Sequence, residues 1–222
     1  MNRYLTLTAL ALASSMSLGV MAATTPQAHK AGVAQAEAVS TVAAPERPVV
    51  YDLATLDTMQ ALGIPVAGVP KAQFPAYMAG YGDAKYTVAG TLFQPDYEAL
   101  SQIKPDLIIV GGRSAAKQDV LSKIAPTLDF SVKPATMLQD MERNITQIAD
   151  MYGKQEQGKA LVARIKSEVA ELNQLAAQAQ PGVLLMAINA RIMPQAPGAR
   201  FGVLVDVLGA KSQLTAKAIP AR

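Results

Sequence analysis

The stretch PDLIIVGGRSA, residues 105–115, decides how the rest of the chain is read. Leu107 to Val110 is apolar on both faces, which is the pattern of a parallel strand covered by helices on each side. Pro105 interrupts what precedes it, and Gly111 and Gly112 end the run in a turn. Directly after the glycines stands Arg113, a cation that cannot titrate away and that carries a planar fork of donors. In open α/β sheets ligands bind outside the carboxyl ends of the strands, and glycines there let backbone and ligand approach closely. Arg113 and Gly112 are therefore candidate ligand contacts, set against the plainer reading of a surface arginine after a turn. A dinucleotide fingerprint is excluded, because GxGxxG needs a third glycine and a later acidic partner.

The same alternation extends outward. Val49–Tyr51 reads as a short strand, and LATLDTMQALG (residues 53–63) as a helix that Asp52 caps and Gly63 stops. PVAGVP is a second strand, FPAYMAGYG a short helix or turn, and YTVAG a third strand. QPDYEALSQI is a helix with Pro95 near its start. AAKQDVLSKIA is a helix and TLDFSV a strand. Strands and helices in this order predict a parallel α/β layer over residues 48–153.

The texture changes near residue 136. Thr136 and Gln139 have capping-box spacing, and Leu138, Met141, Ile145, Ile148 and Tyr152 mark one helix face. In KQEQGKALVARIKSEVAELNQLAAQAQ (154–180), Leu161, Ile165, Val169, Leu172, Ala176 and Ala179 step by three and four. A helix of about 26 residues is about 40 Å long, the width of a small domain. It reads either as an amphipathic core helix or as a rigid rod between two lobes. The rod is favoured because a new β unit opens after Pro181. GVLLMAI is a strand, NARIMPQAPGARFG a loop and VLVDVLG a helix. One strand and one helix cannot close a sheet, so residues 181–222 read as a partial second lobe and the chain as C-terminally truncated.

At the amino end, Arg3, an apolar stretch and small residues at Val20 and Ala22 describe a cleavable signal peptide over residues 1–22. Residues 23–47, rich in Ala, Thr and Pro, form a loose lead-in. There is no later apolar span of membrane length, which predicts an exported protein without direct membrane insertion. The sequence has no cysteine, so disulfides, thiolate metal sites and a cysteine nucleophile are excluded. Its single histidine, His29, lies in the lead-in. No Ser-His-Asp relay or histidine-based metal site follows, no catalytic set emerges and no cofactor is implied. A net charge of +3 with scattered basic residues argues against nucleic acid.

APGARFG, residues 196–202, echoes the first motif. It follows a strand end in the expected second lobe and places Arg200 before a helix. Arg113 and Arg200 would then face each other across a cleft suited to an anion. Lys71 follows a strand in GVPKAQFPAY and is a further candidate cation. Tyr77, Tyr81 and Tyr86 cluster nearby, as packing residues or as rings at a cleft rim.

With VYDLATLDTMQALGI and VAGVPK, TLFQPDYEALSQIKPDLIIVGGR, and PGARFG followed by DVLG, the chain resembles the periplasmic iron–siderophore-binding proteins of ABC importers. Within that family it is similar to the catecholate branch, over about residues 48–209. The resemblance implies an α/β, two-lobed fold joined by one long helix, with a ferric siderophore held between the lobes and no bond chemistry. It implies that Arg113 and Arg200 contact the ferric complex, that Glu98 docks onto an inner-membrane ABC permease, and that Asp206 is the second-lobe candidate for docking. It implies a periplasmic location, and the expected state is a monomer. The alternatives are a haem, cobalamin or hydroxamate binder of the same fold, a nonfunctional fragment, and, last, an exported enzyme. NAR at 189–191 replaces the usual GGK-type turn, leaving Arg191 as an extra cation or a surface residue.

Overall fold

The computed structural model describes residues 43–198 and 202–215. The expected signal peptide, most of the lead-in and Arg200 lie outside the described residues. Five short strands form one parallel sheet: β1 (Pro48–Val50), β2 (Gly68–Lys71), β3 (Thr87–Thr91), β4 (Leu107–Val110) and β5 (Thr127–Asp129), in the order β3-β2-β1-β4-β5. All the pairings are parallel, and β4 lies between β1 and β5 with Val49 opposite Ile108 and Ile109 opposite Leu128. The order reverses at β1, where the chain leaves one half of the sheet to build the other.

Helices cover both faces, and strand alternation distributes the core between them. Val50, Leu107 and Ile109 point into a cluster with Leu56 and Met59 of α1 (Leu53–Ala61) and Ile148 and Ala149 of α4 (Met137–Met151). Val49, Tyr51, Ile108 and Val110 point the other way, onto Leu100 of α2 (Tyr97–Ile103) and Leu121 of α3 (Gln118–Leu121). This explains why β4 reads as apolar throughout. Asp52 caps α1, accepting from the Thr55 N–H at 2.9 Å, and Gly63 follows the helix with φ +63°. At α2 the cap is Asp96, accepting from the Glu98 and Ala99 N–H groups, so Pro95 stands outside the helix rather than in its first turn.

Two expectations are corrected. The Thr136–Gln139 capping box does not form. Thr136 Oγ1 donates to Asp140 Oδ2 at 2.8 Å, and that oxygen also accepts from the Lys133 N–H at 2.9 Å, so Asp140 gathers the donors at the start of α4. Residues 189–202 are not all loop. β6 (Leu184–Ile188) and β7 (Arg191–Gln195) pair antiparallel through a two-residue turn at Asn189 and Ala190, both with positive φ. Pro194 within β7 and a turn without glycine hid this hairpin. In α5 (Gln155–Gln178), only the amino-terminal half packs on α4, with Gly158 against Ala149 and Lys166 paired to Glu142 at 2.7 Å. Farther along, Leu172 and Leu175 are exposed, and Asn173 donates to the Val207 carbonyl beyond α6 (Val203–Asp206) at 2.9 Å.

The Lys133 N–H above all, then Thr136 and Arg143, hold the Asp140 carboxyl down at about 2. A depressed folded value adds stability that is present above the ordinary carboxylate range and lost as pH falls toward about 2. Asp140→Asn is expected to lower the urea midpoint at pH 7 and to flatten its fall between about pH 4 and pH 2. Equal pH profiles for the variant and the unaltered chain would contradict this role.

Candidate functional site

Because the strands are parallel, their carboxyl ends share one edge, and the sequence order places a turn at each. Above β1 and β4 lies a concavity of about 510 Å³ lined by Tyr51, Asp52, Leu53, Leu92, Gly111, Gly112 and Arg113. That volume falls in the range of about 300–1,000 Å³ usual for small-molecule sites.

The turn after β4 is tied down from below. Ser114, only 1% exposed, places its hydroxyl 3.0 Å from the Gly111 N–H, from which it accepts, and 3.1 Å from the Tyr51 carbonyl. Gly112 has φ +48°, a left-handed conformation that favours glycine, and its N–H donates to Ser131 Oγ at 2.9 Å. A Cβ on Gly111 would stand 2.9 Å from the carboxyl carbon of Asp52, so only glycine lets these two strand ends close together. Between a twisted glycine and a buried serine, Arg113 is left exposed. Among the described residues no carboxylate lies within ion-pairing distance of its guanidinium. That group sits 6.0 Å from the centre of the Phe93 ring instead. The turn after β3 therefore reaches across the ends of β2 and β1 to bring Leu92 and Phe93 to Arg113.

Burial, with the Asp129 charge as a smaller contribution, pushes the Asp52 carboxyl above its ordinary value, against the opposing hydrogen bonds from Thr55. A carboxylate in the wall opposes an anionic ligand. Burial likewise raises the Tyr51 phenol, whose hydroxyl donates to the Ala89 carbonyl and stays in the wall as a neutral group.

Lys71 ends β2, exposed on the same edge, but it does not line the concavity. Glu98 is exposed in the first turn of α2. Asp206 is exposed as well, yet its carboxylate accepts from the Gly198 N–H at 2.7 Å and so fastens the turn after β7. Arg200 lies outside the described residues. Of the tyrosines, Tyr81 is core, its hydroxyl donating to the Leu56 carbonyl at 3.1 Å and its ring 5.0 Å from that of Tyr86, while Tyr77 is exposed.

The sequence profile of the family described as "Periplasmic binding protein" matches residues 49–219. The chain belongs to the periplasmic binding protein family. Its parallel α/β layer is that fold. The petrobactin-binding protein YclQ of Bacillus subtilis is 32% identical over 168 residues, 74% of this chain and 53% of the relative. The ferric-anguibactin-binding protein FatB of Vibrio anguillarum is 27% identical over 177 residues, 77% of this chain and 55% of the relative. The crystal structure of YclQ superposes with a TM-score of 0.74 at 31% identity, covering 77% of this chain and 61% of that one. That of VctP, the periplasmic catecholate-siderophore-binding protein of Vibrio cholerae, gives 0.71 at 28% identity, covering 79% and 64%. The chain thus spans about half the length of these curated relatives.

The sequence reading passed over Tyr51, Leu53 and Leu92 in the lining, and Ser114 and Phe93 beside it. Ser114 left no signal beyond following a turn. Phe93 did leave one: it is an aromatic residue in a strand–helix turn at the carboxyl edge of the sheet.

The role of Asp52 separates into a cap and a charge. Asp52→Ala loses the cap, costing about 0.5–2 kcal/mol, or about 2–4 °C in melting temperature per kcal/mol. Asp52→Asn keeps an acceptor and removes a carboxylate that folding holds above its ordinary pKa. It is expected to melt at or above the unaltered chain at pH 7, with that advantage gone below about pH 4. Equal losses for the two variants in thermal melts at pH 7 would show that the charge itself is needed.

Proposed function

We propose that this chain captures a ferric siderophore of the catecholate class in the periplasm and delivers it to an inner-membrane ABC permease. One observation carries the reading. A permanent cation stands at the carboxyl edge of the sheet, backed by an aromatic ring, free of any carboxylate partner among the described residues and poised over a cleft of ligand size. The names of relatives point the same way, since YclQ is described as petrobactin-binding and VctP as catecholate-siderophore-binding.

A hexadentate tris-catecholate of Fe³⁺ is a trianion whose phenolate oxygens accept strong hydrogen bonds. Arg113 offers in-plane donors to those oxygens, Gly112 lets the ligand approach the backbone, and Lys71 and Arg200 supply further charge. The ligand is the cargo, bound without bond chemistry and without a cofactor. Residues 48–153 form the first lobe, α5 the bridge, and residues 181–222 part of the second lobe. Glu98, exposed on α2 with no ion-pair partner among the described residues, is the docking carboxylate. Asp206 fits that part less well, because its carboxylate already holds a turn. A signal peptide over residues 1–22 accounts for export. A haem, cobalamin or hydroxamate ligand, or a chain without binding activity, are the outcomes that a titration panel distinguishes.

Removing one charge-assisted hydrogen bond, worth about 1.5–3 kcal/mol, corresponds to about 10- to 150-fold in affinity. Arg113→Ala is expected to weaken a ferric tris-catecholate by that range in a tyrosine-fluorescence titration, and an unchanged affinity would refute the assignment. Glu98→Ala is expected to leave binding within twofold and to depress siderophore-dependent iron uptake in cells. Normal uptake by that variant would remove Glu98 from docking.

A further inference from the structure

The turn between β3 and α2 is held more tightly than a connection requires. Gly90 adopts φ +103°, and a Cβ there would lie 2.4 Å from the Gln94 carbonyl oxygen. The Thr91 N–H donates to that same carbonyl at 2.8 Å, and Gly90 forms a bridge with Pro95. Thr91 Oγ1 accepts from the N–H groups of Phe93 and Gln94 at 3.3 and 3.0 Å. At the tip of this fastened turn Phe93 is 62% exposed and belongs to neither buried cluster.

A single exposed apolar side chain is ordinary. Phe93 differs because its backbone is fixed, its neighbour Leu92 lines the cleft, and its ring is the one the Arg113 guanidinium lies over. A guanidinium held against a ring keeps its in-plane N–H donors free for another partner. The rest of the ring stays open to solvent.

We infer that Phe93 is a specificity-determining residue of the cleft, selecting chelates whose oxygen donors sit on aromatic rings. The inference rests on the ferric-chelate reading of the cleft given above. Any trianionic chelate gains from the charge of Arg113. Only one with aryl donors also gains from packing against the Phe93 ring, in the offset or edge-to-face geometries that aromatic pairs prefer. Charge sets the class of ligand, and the ring chooses within it.

The test compares two probes of equal charge, a hexadentate ferric tris-catecholate and ferric tris-oxalate, by calorimetric titration of the purified chain and of its Phe93→Leu and Phe93→Tyr variants. Circular dichroism and melting verify the fold, which an exposed turn residue is expected to leave intact. Phe93→Leu is expected to weaken the catecholate by about two- to tenfold, the size of an aromatic pair, and to change the oxalate less than twofold. Phe93→Tyr is expected to restore the preference. Equal losses for both chelates, or no loss for either, would overturn the inference while leaving the cleft as an anion site. If the unaltered chain bound neither chelate, the ferric-chelate reading itself would fall, and this inference with it.

Discussion

One hydroxyl joins the ends of the two central strands. Ser114 Oγ accepts from the Gly111 N–H and lies within hydrogen-bond reach of the Tyr51 carbonyl, so the turns after β4 and β1 cannot separate. Everything at the ligand edge depends on that tie. Gly111 packs directly on Asp52, Asp52 caps α1, and Gly112 takes the left-handed step that turns Arg113 outward. The serine is buried, the arginine exposed, and they are adjacent in sequence. A fixed hydroxyl beneath and an exposed guanidinium above let a short turn present a charge that pairs with no carboxylate among the described residues.

The electrostatics of the edge reinforce this division. Helix amino ends are ready anion sites because their N–H groups and dipole favour negative charge. Here two of the helices that start at this edge are already capped by carboxylates, Asp52 on α1 and Asp96 on α2. A unit negative charge outweighs the effective half-charge of a helix end, so neither helix supplies the attraction. The fixed cation in the wall of the cleft is Arg113.

Much of this was legible because it is periodic or local. The apolar run at 107–110 gave a covered parallel strand, Asp52 and Gly63 bracketed α1, and the paired glycines placed Arg113 just beyond the carboxyl end of that strand. What could not be read is non-local. The pairing of Ser114 with Tyr51 spans 63 residues, and no spacing rule reports it. Phe93 meets Arg113 only because the turn after β3 leans over two other strands. The hairpin at β6 and β7 was hidden by Pro194 and by Ala190 in a positive-φ turn that usually carries glycine. The helix face of α5 was visible as a stripe, but a stripe does not say where its cover ends. Thr136 makes no capping bond at α4, because its hydroxyl is one of three donors that converge on the Asp140 carboxylate.

The central claim is that a metal chelate sits on the carboxyl edge of the first sheet, over the Gly111–Arg113 turn. Amide NMR during titration with a diamagnetic gallium tris-catecholate tests it most directly. The predicted result is saturable shifts concentrated at Gly111, Gly112, Arg113, Leu92 and Phe93, with the opposite edge near Ile64 and Tyr86 undisturbed. Shifts confined to that opposite edge, or an unchanged spectrum at millimolar chelate, would contradict it.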